Sequence, residues 1–217
     1  FILLSDTLGV SMLVDAINHR MPDGATETTV LGPFYVEAAP EFPLGADITR
    51  GVAGDPLYVS GTVATPDGTP IAGAVVDTWH SDPEGGYDVQ QLEKLGGFAL
   101  RGRFRTDDQG RFHFWTIMPA AYPIPHDGPV GELLEAQGRH PWRPAHVHFM
   151  IHAPGFVKLV THVFVEGDKY LDSDVVFGVK DSLIRTFEPR EPGTAPDGRA
   201  MDRPYHHLHY DFGLKPA

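Results

Sequence analysis

From Leu57 onward the apolar pattern shortens to strand-like runs, each stopped by Gly, Pro or Asp, and this feature limits the fold more than any other. The run LYVSGTV (57–63) and the run GAVVDTW (73–79) flank a turn built on Pro66, Asp67 and Gly68, which reads as a hairpin. ALRGRFRT (99–106) and RFHFWTI (111–117) flank Asp107 to Gly110 and read as a second one. Further strands are expected at Ala145 to His152 and at Lys158 to Val165. With 24 Gly and 20 Pro between such short runs, the expected fold is mainly β, a sandwich with long functional loops and few helices. The stretch Glu188 to Asp197 reads as a surface loop, because YHHLHYDF (205–212) after it still needs a partner sheet. Upstream, Leu3, Val10, Leu13, Val14 and Ile17 recur at helical intervals, so one amphipathic helix is expected over Phe1 to His19, stopped by Pro22, Asp23 and Gly24.

Charge and composition narrow the function classes. A formal charge of −12 disfavours nucleic acid and anionic membrane surfaces, which select for clustered Lys and Arg. A small uncharged or weakly acidic ligand fits better. No run approaches the roughly 20 apolar residues of a membrane span and no leader pattern opens the chain, so a soluble cytoplasmic protein is expected. The chain has no Cys, so any metal must be held by nitrogen and oxygen donors, which favours harder ions. Because the chain begins at Phe1 inside a helical pattern, a preceding segment is expected.

The strongest local signal is Arg143-Pro144-Ala145-His146-Val147-His148-Phe149. In a strand, side chains at i and i+2 share a face with Cα atoms roughly 7 Å apart, so two imidazoles can converge on one ion. Val147, Phe149 and Ile151 then face the core, and His152 lies about 13 Å along the strand from His148, too far for the same ion. A polar strand face with unrelated histidines gives the same pattern. Tyr87 in SDPEGGYD and Tyr122 in MPAAYPIP sit in loops stiffened by Gly or Pro, where a tyrosine is ordinarily packed and hydrogen-bonded. A ferric ion changes that expectation, since it is charged enough to ionise a phenol at neutral pH. His80-Ser81-Asp82 is a rival, able with a distant histidine to make a two-histidine, one-carboxylate triad, though Asp82 before Pro83 equally suggests a turn. His206, His207 and His209 read as a histidine-rich surface or edge strand.

In this order the pieces resemble the intradiol ring-cleavage dioxygenases. The stretches that carry the likeness are TVLGPFYVE (29–37), PIAGAVVDTWHSDPEGGYD (70–88), LRGRFRTDDQGRFHFWTIMPAAYPIP (100–125) and GRHPWRPAHVHFMIHAPGF (138–156). The resemblance implies one Fe(III) per chain, held by Tyr87, Tyr122, His146 and His148, with solvent hydroxide as a fifth ligand. It implies an aromatic diol or triol and O2 as substrates, Tyr122 as a proton acceptor, and Arg143 as the cation that stabilises developing negative charge. Residues 1–28 become the remnant of a helical linker and dimerisation segment, and 29–217 the catalytic β-sandwich domain. The start of the chain looks most like the hydroxyquinol 1,2-dioxygenase branch, with catechol and chlorocatechol enzymes as the near alternative. By that likeness Leu3, Asp6, Val30, Leu31, Gly32, Val175 and Phe177 are candidate pocket walls, with Asp6 opposite the third hydroxyl. His162 stands where catechol enzymes tend to carry glutamine. A homodimer, with a lipid at the N-terminal helical interface, is the inherited expectation. The alternative of another class is a non-catalytic β-sandwich that binds metal or ligand through its histidines.

Overall fold

The computed structural model describes residues 1–37 and 39–217. Two helices open the chain, α1 (Ile2–Thr7) and α2 (Val10–Asn18), in place of the single helix expected. The break falls at Gly9, whose φ of 74° is left-handed, a conformation a residue without Cβ adopts at little cost. The strands follow as β1 (Pro56–Ala64), β2 (Val75–His80), β3 (Arg101–Arg105), β4 (Arg111–Ile117), β5 (Tyr122–Pro123), β6 (Trp142–Arg143), β7 (His146–His152) and β8 (Leu159–Val165). After these come β9 (Ile184–Arg185), β10 (Glu188–Arg190), β11 (Gly193–Thr194), β12 (Ala200–Met201), β13 (Tyr205–His209) and β14 (Phe212–Gly213). Short helices α3 (Leu92–Leu95) and α4 (Pro129–Ala136) interrupt the loops.

One sheet runs β10-β13-β1-β14 with β4 also on β1, and the other runs β3-β2-β7-β8-β9. Between them lies a core that includes Val59, Val63, Val76, Phe104, Phe112, Phe114, Val147, Phe149 and Ile151. The protein is therefore mainly β, two packed sheets with long loops. Neither expected hairpin forms. β1 pairs with β4, from Pro56↔Ile117 to Thr62↔Arg111, whereas β2 pairs with β3 and β7. Each of the two turns carries the chain from one sheet to the other, and Phe104 on β3 stacks on Phe114 of β4 across the core at 4.8 Å. Alternation sets which face of a strand is buried; it leaves open which strand lies beside it. Two further readings change in detail. Glu188 to Asp197 contains β10 and β11 within its exposed loop, and β13 is an inner strand between β10 and β1, not an edge.

No helix among the described residues is long and apolar enough to cross a membrane. At the centre of the first sheet, a Cβ on Gly61 would lie 1.8 Å from the Tyr210 carbonyl oxygen, which is backbone and cannot swing away. Gly61→Ala is expected to cost about 3 kcal/mol, the upper range for overpacking, read as a lower melting temperature.

Candidate metal centre

The alternation of β7 sends Val147, Phe149 and Ile151 into the inter-sheet core and His146 and His148 to the opposite face. Loops bury that face as well, leaving both imidazoles about 1% exposed. Tyr122 arrives through the β5–β6 ribbon, whose register sets Tyr122 directly across from Arg143. Tyr87 follows a turn closed by Asp82, whose carboxylate accepts from the Glu84 and Gly86 backbone N–H groups at 3.0 and 2.8 Å. Gln90 then holds the Tyr87 N–H at 2.9 Å. The two tyrosine loops meet because Gly85, at φ 84°, has no Cβ; one there would stand 2.9 Å from the Tyr122 Cβ. Phe34 stacks on Tyr87 at 4.3 Å and Trp79 on His148 at 4.6 Å, so both rings are clamped flat.

His146 Nε2 lies 3.1 Å from His148 Nε2, which lies 3.1 Å from the Tyr87 hydroxyl. Tyr122 completes the group, its ring 5.1 Å from that of Tyr87 and 5.7 Å from that of His146. Its oxygen accepts from Arg143 Nη1 at 3.5 Å, and that nitrogen is 3.3 Å from His146 Nε2. Donor atoms 3.1 Å apart, each about 2.1 Å from a shared ion, subtend about 95° at it, an angle ordinary for adjacent ligands.

Proton accounting gives the same answer. His146 Nδ1 donates to the Pro144 carbonyl at 2.7 Å, so the inward Nε2 is a lone pair. His148 Nδ1 is buried with no partner among the described residues, so neither tautomer satisfies both of its nitrogens there. Burial holds the pKa values of both imidazoles well below the ordinary value, with Arg143 and the neighbouring histidines adding to it, and both remain neutral lone-pair donors at pH 7. Burial, and then Tyr122, push the Tyr87 phenol well above 10, so ionising it requires a concentrated positive charge. Two neutral imidazoles and two phenols fit a hard trivalent cation such as iron(III) better than zinc.

His162 joins the cluster, with ligand atoms of His146, His148 and His162 all within 4.8 Å of one another. Its ring is stacked on His146 at 4.6 Å and 15°, so the two do not converge, and its Nδ1 faces Arg143 Nη2 at 3.3 Å. The rival motif is spent on structure. His80 is bound through Nδ1 to the Ser81 carbonyl at 2.8 Å and through Nε2 to Thr116 at 2.6 Å, and burial lowers its pKa to about 4. His207 and His209 both meet the Ser60 hydroxyl, at 2.8 and 3.0 Å, on the outer face of the other sheet.

Beside Tyr122 and Arg143 runs a narrow cleft lined also by Leu3, Asp6, Val30, Gly32, Pro33, Phe34, Ile124, Pro125 and Val176. Leu3 and Asp6, at i and i+3, share the face of α1 that closes it. Burial raises the Asp6 pKa, against a hydrogen bond from Ser11 and the charge of Arg143. The structure does not bring the other expected walls to the cleft. Leu31 points outward and is exposed, Phe177 is half exposed over the Arg139 guanidinium, and Val175 packs behind Val30 and Leu134. Ile124, Pro125 and Val176 take their places; a Tyr-Pro-Ile-Pro loop beside an expected ligand was the one sequence signal for the first two.

Comparison with known proteins agrees with this geometry. A dioxygenase family model matches residues 30–216. The chain is 56% identical to a 6-chlorohydroxyquinol 1,2-dioxygenase of Cupriavidus pinatubonensis, covering all of this chain and 74% of that protein. It superposes on hydroxyquinol 1,2-dioxygenase of Pseudomonas putida with a TM-score of 0.93 at 50% identity, covering 100% of this chain and 76% of that one. On catechol 1,2-dioxygenase of Acinetobacter radioresistens the TM-score is 0.90 at 32% identity, covering 99% and 72%. The chain thus spans about three quarters of the length of these relatives. A family match across nearly the whole sandwich, with two tyrosines and two histidines gathered at one buried point, shows that the chain belongs to the intradiol dioxygenase family.

Proposed function

We propose that this protein opens the ring of hydroxyquinol, benzene-1,2,4-triol, between its adjacent hydroxyl-bearing carbons, using O2 and one Fe(III) per chain. The observation that carries the metal centre is the 3.1 Å spacing from Tyr87 to His148 to His146, with Tyr122 beside them. Tyr87, Tyr122, His146 and His148 would hold the ion. When bound, iron(III) supplies Lewis acidity that ionises the phenols and draws electron density from a chelated diol, so that the organic ring itself reacts with oxygen. Tyr122 accepts a proton from the incoming diol. Arg143, buried and fixed 3.5 Å from the Tyr122 oxygen, offers Nη1 to negative charge that grows as the ring is attacked. Leu3, Val30, Ile124 and Val176 exclude water and set the plane of the ring. Both oxygen atoms end in a ring-opened diacid. The apolar residues exposed on α1 and α2, among them Ile2, Leu13 and Ile17, support a homodimer in which residues 1–28 take part, and a lipid bound at that face is part of the same reading.

Asp6 supports the triol over a diol, because it is the one carboxylate lining the cleft among the described residues and can accept a hydrogen bond from the third hydroxyl. Such a bond is worth about 1.5–3 kcal/mol. Asp6→Ala is therefore expected to lower kcat/KM for hydroxyquinol about 10- to 100-fold and to leave that for catechol within about threefold. Oxygen uptake with hydroxyquinol, catechol and 4-chlorocatechol checks both claims. A wild-type preference for catechol overturns the choice of substrate.

A further inference from the structure

We propose that Asp174 is a positioning residue, which fixes the rotation of the Arg143 guanidinium so that a single nitrogen, Nη1, faces the metal centre. The inference rests on the reading of that centre given above. Arg143 donates Nε to Asp174 Oδ1 at 3.0 Å and Nη2 to Oδ2 at 3.1 Å, a two-point fork that leaves the guanidinium plane no freedom to turn. With that edge taken, Nη2 otherwise meets His162 Nδ1 at 3.3 Å, and Nη1 is the nitrogen that faces the expected ligands, 3.3 Å from His146 Nε2 and 3.5 Å from the Tyr122 oxygen. The pair is sealed from solvent, with side-chain exposures of 2% and 1%, so water cannot stand in for either partner.

Asp174 is itself held. Its Oδ2 accepts from the Gly178 N–H at 3.0 Å, and the Gly178 carbonyl accepts from Thr29 Oγ1 at 2.8 Å, next to the cleft wall Val30. A Cβ on Gly178 would press within 3.0 Å of Arg143 Nη2 and 3.1 Å of Asp174 Oδ2, so the tight turn after Asp174 belongs to the same device. The function follows from charge. Released from Asp174, a buried guanidinium would turn onto the nearest anion, the Tyr122 phenolate of the loaded enzyme, and compete with the proton that Tyr122 must accept.

The test uses the iron-loaded protein. Asp174→Asn keeps the shape and removes the charge; it is expected to retain iron, lower kcat about 10- to 100-fold, change KM less than threefold, and shift the tyrosinate absorption band because Nη1 no longer addresses Tyr122 in the same way. A protein that binds iron with kcat within twofold of wild type and an unmoved band overturns the proposal. The double variant Arg143→Gln/Asp174→Asn leaves no buried charge unpaired, and it decides the matter even where the single variant fails to fold. Its kcat is expected to equal that of Arg143→Gln alone; a further loss in the double variant means that Asp174 acts by another route, and overturns the inference. Wild-type protein that neither binds iron nor consumes oxygen sinks the parent reading instead, so the two failures are distinct.

Discussion

Tyr87→Phe protein is expected to lose turnover by about a thousandfold or more and to lose most of the red-brown absorption of the iron-loaded enzyme. Replacing groups that merely support metal ligands costs about 10- to 100-fold, and here an anionic ligand itself disappears. The remaining donors would be one phenolate and two neutral imidazoles, a poor match for a trivalent ion. The fold is not at stake. The phenyl ring still stacks on Phe34, 4.3 Å away, and the hydroxyl it lacks makes its hydrogen bond within the metal centre, to His148. Melting temperature is therefore expected to stay within a few degrees for metal-free protein, while iron content, the visible spectrum and oxygen uptake fall together. Retained colour and turnover would remove Tyr87 from the ligand set, and the proposed function with it.

Some of this was legible in the sequence, and the boundary has physical causes. Period-two alternation around His146 and His148 reported both the strand and its core face, since a one-residue slip would have buried imidazoles among Phe149 and Val163. Strand partners were not legible. The turn at Asp107 to Gly110 is as short as a hairpin turn, yet Phe104 and Phe112 face each other's sheets, and only the packed core decides that. Nor could composition show that Tyr122 meets Arg143, which depends on register between two-residue strands, or that Tyr87 approaches Tyr122, which depends on the missing Cβ of Gly85. The family resemblance supplied those tyrosines; local physics alone would have left them as packed loop residues. Asp174 had no sequence signal at all. It differs from Asp172 two positions earlier only in being buried against Arg143, where Asp172 is exposed.

The residue after Tyr87 carries the second large effect. Asp88 accepts from Arg101 Nε at 2.6 Å and from the Ala99 N–H at 3.1 Å, and a second Arg101 nitrogen reaches its other oxygen; both side chains are almost fully buried. Arg101 in turn donates to the Phe34 carbonyl at 3.0 Å, and Phe34 is the ring that clamps Tyr87. Asp88→Ala leaves an uncompensated buried cation, which costs about 3–5 kcal/mol. At about 2–4 °C per kcal/mol for a chain of this size, the melting temperature is expected to drop by about 6–20 °C. Loss of the anchor also frees Phe34, so iron affinity should weaken with stability. Replacing both partners, Arg101→Met with Asp88→Leu, removes the unpaired charge and is expected to recover much of the melting temperature but not the iron affinity, because no side chain then holds the Phe34 carbonyl. If the double variant melts as low as Asp88→Ala, the loss comes from the backbone N–H groups that Asp88 satisfies, at Val89 and Ala99, and not from the charge.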